Sequence, residues 1–368
     1  MSPKVSAPNR PRVLLHAFST FQLGGPQARF VQLANALGPH YEHHIVAMDN
    51  RFDAGERLSA EVRWQPVQMT VKKGGLLANR SECRRQIQRL RPDLLLSYNW
   101  GAIEWTAANL PRLVPQVHVE DGFGPDEAHQ QLPRRVWTRR VLLGLGRVPL
   151  VVASRRLQAI ATDIWKVPPW RVNFLTNGVA LPEPALQPKA DDLLCIGTVA
   201  GLRPEKNIAR LIRAFARLRV DQPARLVVVG DGPLRRELEA LARSLGVAGD
   251  VEFTGYLANP GARLAEFDLF ALSSDTEQLP LALLEAMAHG LPIVSTRVGD
   301  IEAVLAHVSP GNLCAPQDDA FALALREAVA QRSHWPAWSK RARAVVEALY
   351  AERSMVAAWT RVFDGLMA

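Results

Sequence analysis

Short apolar runs alternate with amphipathic stretches along most of the chain. Arg12 to Phe18 has the continuous apolar character of a strand buried on both faces, Gln27 to Leu37 has the spacing of an amphipathic helix, and His44 to Met48 reads as a second strand. A helix over Arg80 to Leu90 precedes Pro92 and a strand over Asp93 to Tyr98, and Gln116 to Val119 and Val148 to Ala153 read as short strands. Strands separated by helical segments predict a parallel sheet with helices on both faces. The pattern breaks at Leu175-Thr-Asn-Gly-Val179 and the proline-rich stretch Leu181 to Pro188, a turn and linker signal. It then restarts, with strands expected over Leu193 to Val199, Arg225 to Val229, Val251 to Phe253, Leu269 to Ser273 and Ile293 to Thr296. The helices between them are expected over Ile208 to Leu218, Leu234 to Leu245 and Pro280 to His289. A last helix, Glu352 to Leu366, carries an apolar stripe at Met355, Val356, Trp359, Val362, Phe363 and Leu366. The expected organisation is a flexible tail over 1–11, an α/β domain over 12–180, a second over 181–350 and a closing helix over 351–368.

At 368 residues, with 48% hydrophobic and 22% charged positions, each half is long enough to bury its own core. No segment reaches the roughly 18 uncharged apolar residues of a membrane helix, and the N-terminus lacks an apolar signal core, so the expected location is cytoplasmic. Cys83, Cys195 and Cys314 are widely spaced, suit a reducing compartment and show no metal-ligand spacing. Charge is uneven. Residues 1–180 hold 24 Lys and Arg against 13 Asp and Glu, a net +11, whereas the remainder is at −3. Lys72, Lys73, Arg80, Arg84, Arg85, Arg89 and Arg91 form one basic stretch, and Arg134, Arg135, Arg139, Arg140 and Arg147 a second. The second interleaves with Trp137, Val141, Leu142, Leu143 and Leu145. That pattern fits either an anionic membrane surface or a solvated helix whose apolar side is core. No binding motif accompanies the charge, so nucleic acid is not an expected partner.

The segment Ser273 to Thr296 carries the most chemistry. Glu277 falls in a polar loop after a predicted strand, Pro280 opens a helix, and Glu285 lies inside it among Leu281, Leu283, Leu284, Ala286, Met287 and Ala288. In a doubly wound sheet, ligands bind beyond the strand carboxyl ends, where a helix N-terminus suits phosphate. On the residues alone, Glu277 is equally a solvated loop residue and Glu285 a helix former. Further along the same logic, Leu23-Gly-Gly-Pro-Gln27 and Gly197-Thr-Val-Ala-Gly-Leu-Arg-Pro-Glu-Lys-Asn207 each join a strand to a helix, the latter with two cations able to face a diphosphate. Val227 to Pro233 and Val251 to Leu257 enter glycine turns, and His118 lies beside Glu120 and Asp121.

These segments, in this order, resemble glycosyltransferase family 4, retaining enzymes of the GT-B fold. The resemblance implies an α/β chain of two Rossmann-like domains facing a central cleft, with the C-terminal helix crossing back to the first domain. It implies that Glu277, with the backbone of Gln278 and Leu279, holds a donor sugar and that Glu285 holds the ribose hydroxyls. Lys206 and Arg203 would neutralise the diphosphate. The family usually places its arginine where this chain has Gly201, so Arg203 is shifted. Gly24 and Gly25 would line the donor side, the backbone at Tyr256 or Leu257 would meet the base, and His118 would touch the sugar near the reacting carbon. Glu120 and Asp121 are acceptor candidates. No Asp-x-Asp sequence occurs, so metal-free transfer without a cofactor is expected, with a nucleotide-diphosphate sugar as co-substrate. The acceptor class is a glycan, a lipid-linked glycan or a small molecule, at the inner face of the cytoplasmic membrane if lipid-linked. A sugar-nucleotide epimerase of the same fold and a non-catalytic nucleotide-binding homologue are the alternatives, the latter because of Gly201.

Overall fold

The structure, a computed structural model, describes residues 10–70, 79–123, 127, 130–182, 193–257, 259–306 and 308–368. Lys72, Lys73, most of the expected tail and most of the proline-rich linker lie outside them. The chain divides into two units, Met1–Thr176 with Met355–Ala368, and Asn177–Ser354.

The first unit is built on seven parallel strands: β1 (Arg12–Phe18), β2 (Tyr41–Ala47), β3 (Arg63–Val67), β4 (Leu94–Tyr98), β5 (Gln116–Glu120), β6 (Leu150–Val152) and β7 (Val172–Phe174). Their order is β3-β2-β1-β4-β5-β6-β7. The central strands form because nearly every position is apolar and covered: β4 and β5 are buried throughout. The helix Gly25–Leu37 lays Phe30, Val31, Leu33, Ala34 and Leu37 onto this sheet. Two strands escape the sequence pattern for local reasons. β3 carries Pro66 and lies at the sheet edge, where a missing N–H is tolerated, and β7 has only three residues. The chain runs outward from β1 to β3, then crosses to β4 and continues the other way, so its direction reverses between β1 and β4. That reversal is the point at which loops diverge and leave a crevice at the strand carboxyl ends.

The last helix, Glu352–Met367, completes this unit. Met355, Trp359 and Phe363 join Phe18, Phe30 and Tyr41 in one apolar cluster. Full burial of each such side chain stabilises by about 1.5–3 kcal/mol relative to exposure. The same cluster surrounds a buried polar row in which His16 Nδ1 meets the Tyr98 hydroxyl at 3.0 Å and His16 Nε2 meets His43 Nδ1 at 3.0 Å. Burial holds His16 well below its usual pKa and His43 down to about 4.

The second unit has six parallel strands: β8 (Leu194–Val199), β9 (Ala224–Val229), β10 (Val251–Gly255), β11 (Leu269–Leu272), β12 (Ile293–Thr296) and β13 (Leu313–Cys314). They are ordered β10-β9-β8-β11-β12-β13, so the reversal falls between β8 and β11. Helices Ile208–Arg219, Arg235–Ser244 and Leu281–Ala288 lie within the expected segments or one residue beyond them. Asp318–Ala330 and Trp335–Leu349 are helices that the sequence reading left unassigned. The divisions between units fall at 176/177 and 354/355, four residues from the expected 180/181 and 350/351 on each side. Hydrogen bonds explain the shift: Val179 N–H donates to the Tyr350 carbonyl at 2.8 Å, Glu352 N–H donates to the Val179 carbonyl at 3.0 Å, and the Asn177 side-chain Nδ2 donates to the Leu279 carbonyl at 2.8 Å. These bonds hold both connecting segments to the second unit.

Candidate functional site

At the β8/β11 reversal, the loop after β8 carries Gly201, Arg203 and Lys206, and the loop after β11 carries Glu277. Glycines on a neighbouring turn set the first loop. A Cβ at Gly230, whose φ is +139°, would lie 1.9 Å from the Ala200 carbonyl oxygen, and one at Gly232 would lie 2.5 Å from that of Leu202. Leu202 N–H donates to Asp231 at 3.0 Å across this close approach. The second loop is bolted to the first: Asp275 N–H donates to the Glu205 carbonyl at 2.8 Å, Ser273 Oγ to the Lys206 carbonyl at 3.1 Å, and Asn207 Nδ2 to Asp275 at 3.0 Å. Buried Arg210 adds a bond to the Ser273 carbonyl at 2.8 Å.

The result brings Lys206 Nζ within 2.6 Å of Glu277 Oε1, with Ser274 Oγ donating to the same oxygen at 2.7 Å. Oε2 of Glu277 has no protein hydrogen bond among the described residues. Arg203 is exposed, with its Nε 3.5 Å from where a Gly201 Cβ would stand, so its guanidinium fills the space beside the glycine. Gly299 was not visible as a site residue in the sequence. Its φ is +58°, and a Cβ there would lie 2.3 Å from the Glu277 carbonyl oxygen and 2.6 Å from that of Gln278. The Val298-Gly-Asp300 turn is the only signal that could have flagged it.

Glu285 meets opposite surroundings. It sits in the helix Leu281–Ala288, which ends in a Schellman turn: Leu291 N–H donates to Ala286 at 3.0 Å and Gly290 N–H to Met287 at 2.9 Å, with Gly290 at φ +72°. The Glu285 carboxyl has no side-chain partner among the described residues, and burial raises its pKa. A desolvated, unpartnered carboxyl is costly to keep and is ready to accept bonds from a ligand. Gln278 is half-buried, Leu279 is buried, and Tyr256 is exposed beside Leu257, which packs on the core at the end of β10.

In the first unit, Gly24 precedes the helix Gly25–Leu37 and accepts from Ala28 N–H at 2.8 Å, while nothing stands within 4 Å of a Cβ at Gly25. The role expected for His118 is corrected. It lies in the middle of β5 at 0% exposure, with Nδ1 2.8 Å from Ser97 Oγ and Nε2 3.4 Å from Glu120. Both ring nitrogens are committed inside the core, so His118 is no sugar contact. Glu120 is likewise buried and is corrected as an acceptor residue. Burial pushes its pKa up, but Arg139 and His118 outweigh that and hold it low. Arg139 is itself fully buried, bonded to Glu127 at 3.2 Å and enclosed by the rings of Trp165, Trp100 and Phe123 at 4.7, 5.2 and 5.6 Å. Two arginines of the second basic stretch, Arg135 and Arg139, are therefore core groups. Its exposed remainder is Arg134, Arg140 and Arg147 with Trp137 and Leu145. Asp121 is the first residue beyond β5 and pairs with Arg29 from the helix Gly25–Leu37. Burial raises the Asp121 pKa, with Arg29 pulling the other way.

Two parallel-sheet Rossmann-like units of this kind define the GT-B class of fold. Residues 183–345, less than half of the chain, match the family Glycosyl transferases group 1. The chain is 38% identical over 116 residues to N-acetyl-alpha-D-glucosaminyl L-malate synthase of Bacillus anthracis, covering 32% of this chain and 30% of that protein. It is 29% identical over 183 residues to the lipopolysaccharide core biosynthesis glycosyltransferase LpsD of Rhizobium meliloti, covering 49% and 51%. The chain thus spans between about a third and a half of the length of these curated relatives. Among solved structures, it is similar to Anabaena Alr3699/HepE in complex with UDP and glucose, with a TM-score of 0.79 at 18% identity, over 96% of this chain and 100% of that one.

Proposed function

We propose that this chain is a retaining glycosyltransferase that moves a hexosyl or N-acetylhexosaminyl group from a nucleotide-diphosphate sugar to a glycan or lipid-linked acceptor. The observation that carries this reading is the pair of glutamates on the second unit. Among the described residues, Glu277 is clamped through one oxygen by Lys206 and Ser274 with the other left open, and Glu285 is desolvated without a side-chain partner. Glu277 Oε2 then accepts from the donor sugar, and Glu285 accepts from the ribose hydroxyls. Lys206 and Arg203 face the diphosphate and stabilise the charge that grows on it as the bond to the sugar breaks. Fixed cations in that position supply the neutralisation that a divalent ion gives in other transferases, which supports metal-independent transfer.

The names of the relatives favour a glycan or small-molecule acceptor, and HepE was solved with UDP and glucose. A lipid-linked acceptor is favoured by one surface of the first unit. Trp137, Leu145 and Trp170 are 65%, 79% and 81% exposed, and Arg134, Arg140, Arg147 and Lys166 are exposed on the same segments. Arg140 Nε donates to the Ile164 carbonyl at 2.6 Å and Arg171 Nη1 to the Gly144 carbonyl at 3.0 Å, joining the two segments into one patch. No described helix is long and apolar enough to cross a membrane, so contact through this patch would be peripheral.

The test is release of nucleoside diphosphate from a panel of uridine, guanosine, adenosine and thymidine diphosphate sugars. Lys206→Ala is expected to lower turnover about 10²–10³-fold, the usual loss of one transition-state charge donor. Wild-type protein inert toward every donor, or Lys206→Ala as active as wild type, would sink the proposal.

A further inference from the structure

The first residues of β1, β2 and β3 are Arg12, Tyr41 and Arg63, and these strands begin side by side at the end of the sheet away from the crevice. Arg12 pairs with Tyr41 in register, and Arg63 pairs with Glu42. A cavity of about 800 Å³ opens there, within the size range of small-molecule pockets. Its walls all belong to the first unit. Besides the strand starts, Leu37 and His40 line it from the end of the helix Gly25–Leu37 and the turn after it, and Val356, Thr360 and Asp364 line it from the final helix.

Three guanidiniums line this cavity, those of Arg10, Arg12 and Arg63, against the single carboxylate of Asp364. Arg12 meets Asp364 at 3.5 Å, and with 30% and 63% of the two side chains exposed the pair is weak and within reach of a ligand. Arg10 donates to Asp93 at 3.3 Å, and that carboxylate also accepts from Val13 N–H at 2.7 Å. Arg63 and His40 are exposed and have no ion pair among the described residues. The carboxyl end of the helix Gly25–Leu37 opposes them with about half a negative charge, which leaves the cavity positive. An anion is the ligand that such a field selects. A phosphoryl group suits several guanidiniums at once, because its oxygens accept paired bonds from the planar fork of each. Leu37, Val356 and the Tyr41 ring, which packs on Phe363 at 5.6 Å, add an apolar wall that a bare ion would not use. Burial and the Asp364 carboxylate raise the Tyr41 pKa while Arg12 lowers it, so the Tyr41 hydroxyl lies in the field of that pair.

We propose that this cavity binds a phosphorylated molecule, with Arg10, Arg12 and Arg63 around the phosphoryl group, Asp364 displaced from Arg12, and Leu37, Val356 and Tyr41 against the part that carries it. The site lies at the strand amino ends and shares no residue with the glutamates and cations of the second unit, so it stands apart from the glycosyltransferase reading. The final helix supplies one wall and the strand starts another, so an occupant fastens that helix to the sheet.

The experiment uses the full chain with 3-fluorotyrosine at its 4 tyrosines, the Tyr41 resonance being the one missing from Tyr41→Phe. Fluorine shifts read local fields, so an anion held by Lys206 and Arg203 is not mistaken for one here. Pyrophosphate stands for a free phosphate ester, and dihexanoyl phosphatidic acid below its micelle concentration for a lipid headgroup. Each is titrated at low ionic strength. At least one is expected to move the Tyr41 resonance to saturation: a response to pyrophosphate marks a soluble ligand, and one confined to the lipid marks a headgroup. Arg10→Ser combined with Arg63→Ser should weaken binding several-fold, and Asp364→Asn should strengthen it several-fold. Asp163→Asn makes the same charge change between β6 and β7, toward the other edge of the sheet, and should alter nothing. A Tyr41 resonance that neither probe moves overturns the proposal. So does binding that the double arginine variant leaves unchanged, or binding that Asp163→Asn strengthens as much as Asp364→Asn does.

Discussion

Glu285 carries a cost in the free protein that, under the proposed function, a bound nucleotide would remove. Its pKa is raised by burial, so ionised Glu285 destabilises the fold at neutral pH, and the effect fades as pH falls through the raised value. Glu285→Gln should therefore melt higher than wild type at pH 7 and bind the preferred nucleoside diphosphate about ten- to a hundredfold more weakly, as befits losing a hydrogen bond to a charged group. Calorimetric melting and titration on the same sample check both signs, and a variant that melts lower would refute this account. The pair Glu277 and Glu285 was legible in the sequence because a polar position among six apolar neighbours stands out. The cluster His118, Glu120 and Asp121 was visible too, but not its orientation. β5 is buried on both faces, so alternation that normally tells inside from outside is erased, and the sequence did not show that the His118 ring turns into the core. Arg29 was hidden for a related reason: an arginine in an amphipathic helix reads as solvated until its partner is known.

Among elements, the turns matter more than the strands they join. Gly230 holds the loop that presents Arg203 and Lys206, whereas Gly25 merely opens a helix with free space around it. Gly230→Ala is expected to cost about 4 kcal/mol or more, in the range reserved for a steric clash compounded by a disallowed φ, while Gly25→Ala should stay within about 0.5 kcal/mol of wild type. Denaturant titrations of the two variants make the comparison, and equal stabilities would show that the loop can move aside. Long apolar runs such as β1, β8 and the helix Ile208–Arg219 were readable because period and propensity agree. β3, with its proline, and β13, with two residues, carry too little signal of either kind. The loop-to-loop bonds that make Asp275, Asn207 and Arg210 one unit join residues 63 or more positions apart, and no local pattern encodes them.

At the scale of the whole molecule, charge and chain order are the informative properties. The basic excess of residues 1–180 survives the loss of Arg135 and Arg139 to the core, and four exposed cations remain beside Trp137 and Trp170. At about 1 kcal/mol per cation near an anionic surface, the patch should bind phosphatidylserine vesicles at low salt and release them at high salt. Trp137→Ser with Trp170→Ser should weaken co-sedimentation severalfold, and unchanged binding by the double variant would remove this surface from consideration. The two-domain plan was legible because the hydrophobic pattern stops and restarts at Asn177-Gly-Val179. The apolar stripe of the final helix names no partner by itself, and it was the family resemblance that assigned this helix to the first domain, the unit in which it lies. That helix gives the molecule a particular order of synthesis. The ribosome delivers residues 1–176 long before Met355, Trp359 and Phe363, so the earlier-made unit must wait, its core open beside Phe30 and Tyr41, while the later-made unit emerges with every strand it needs.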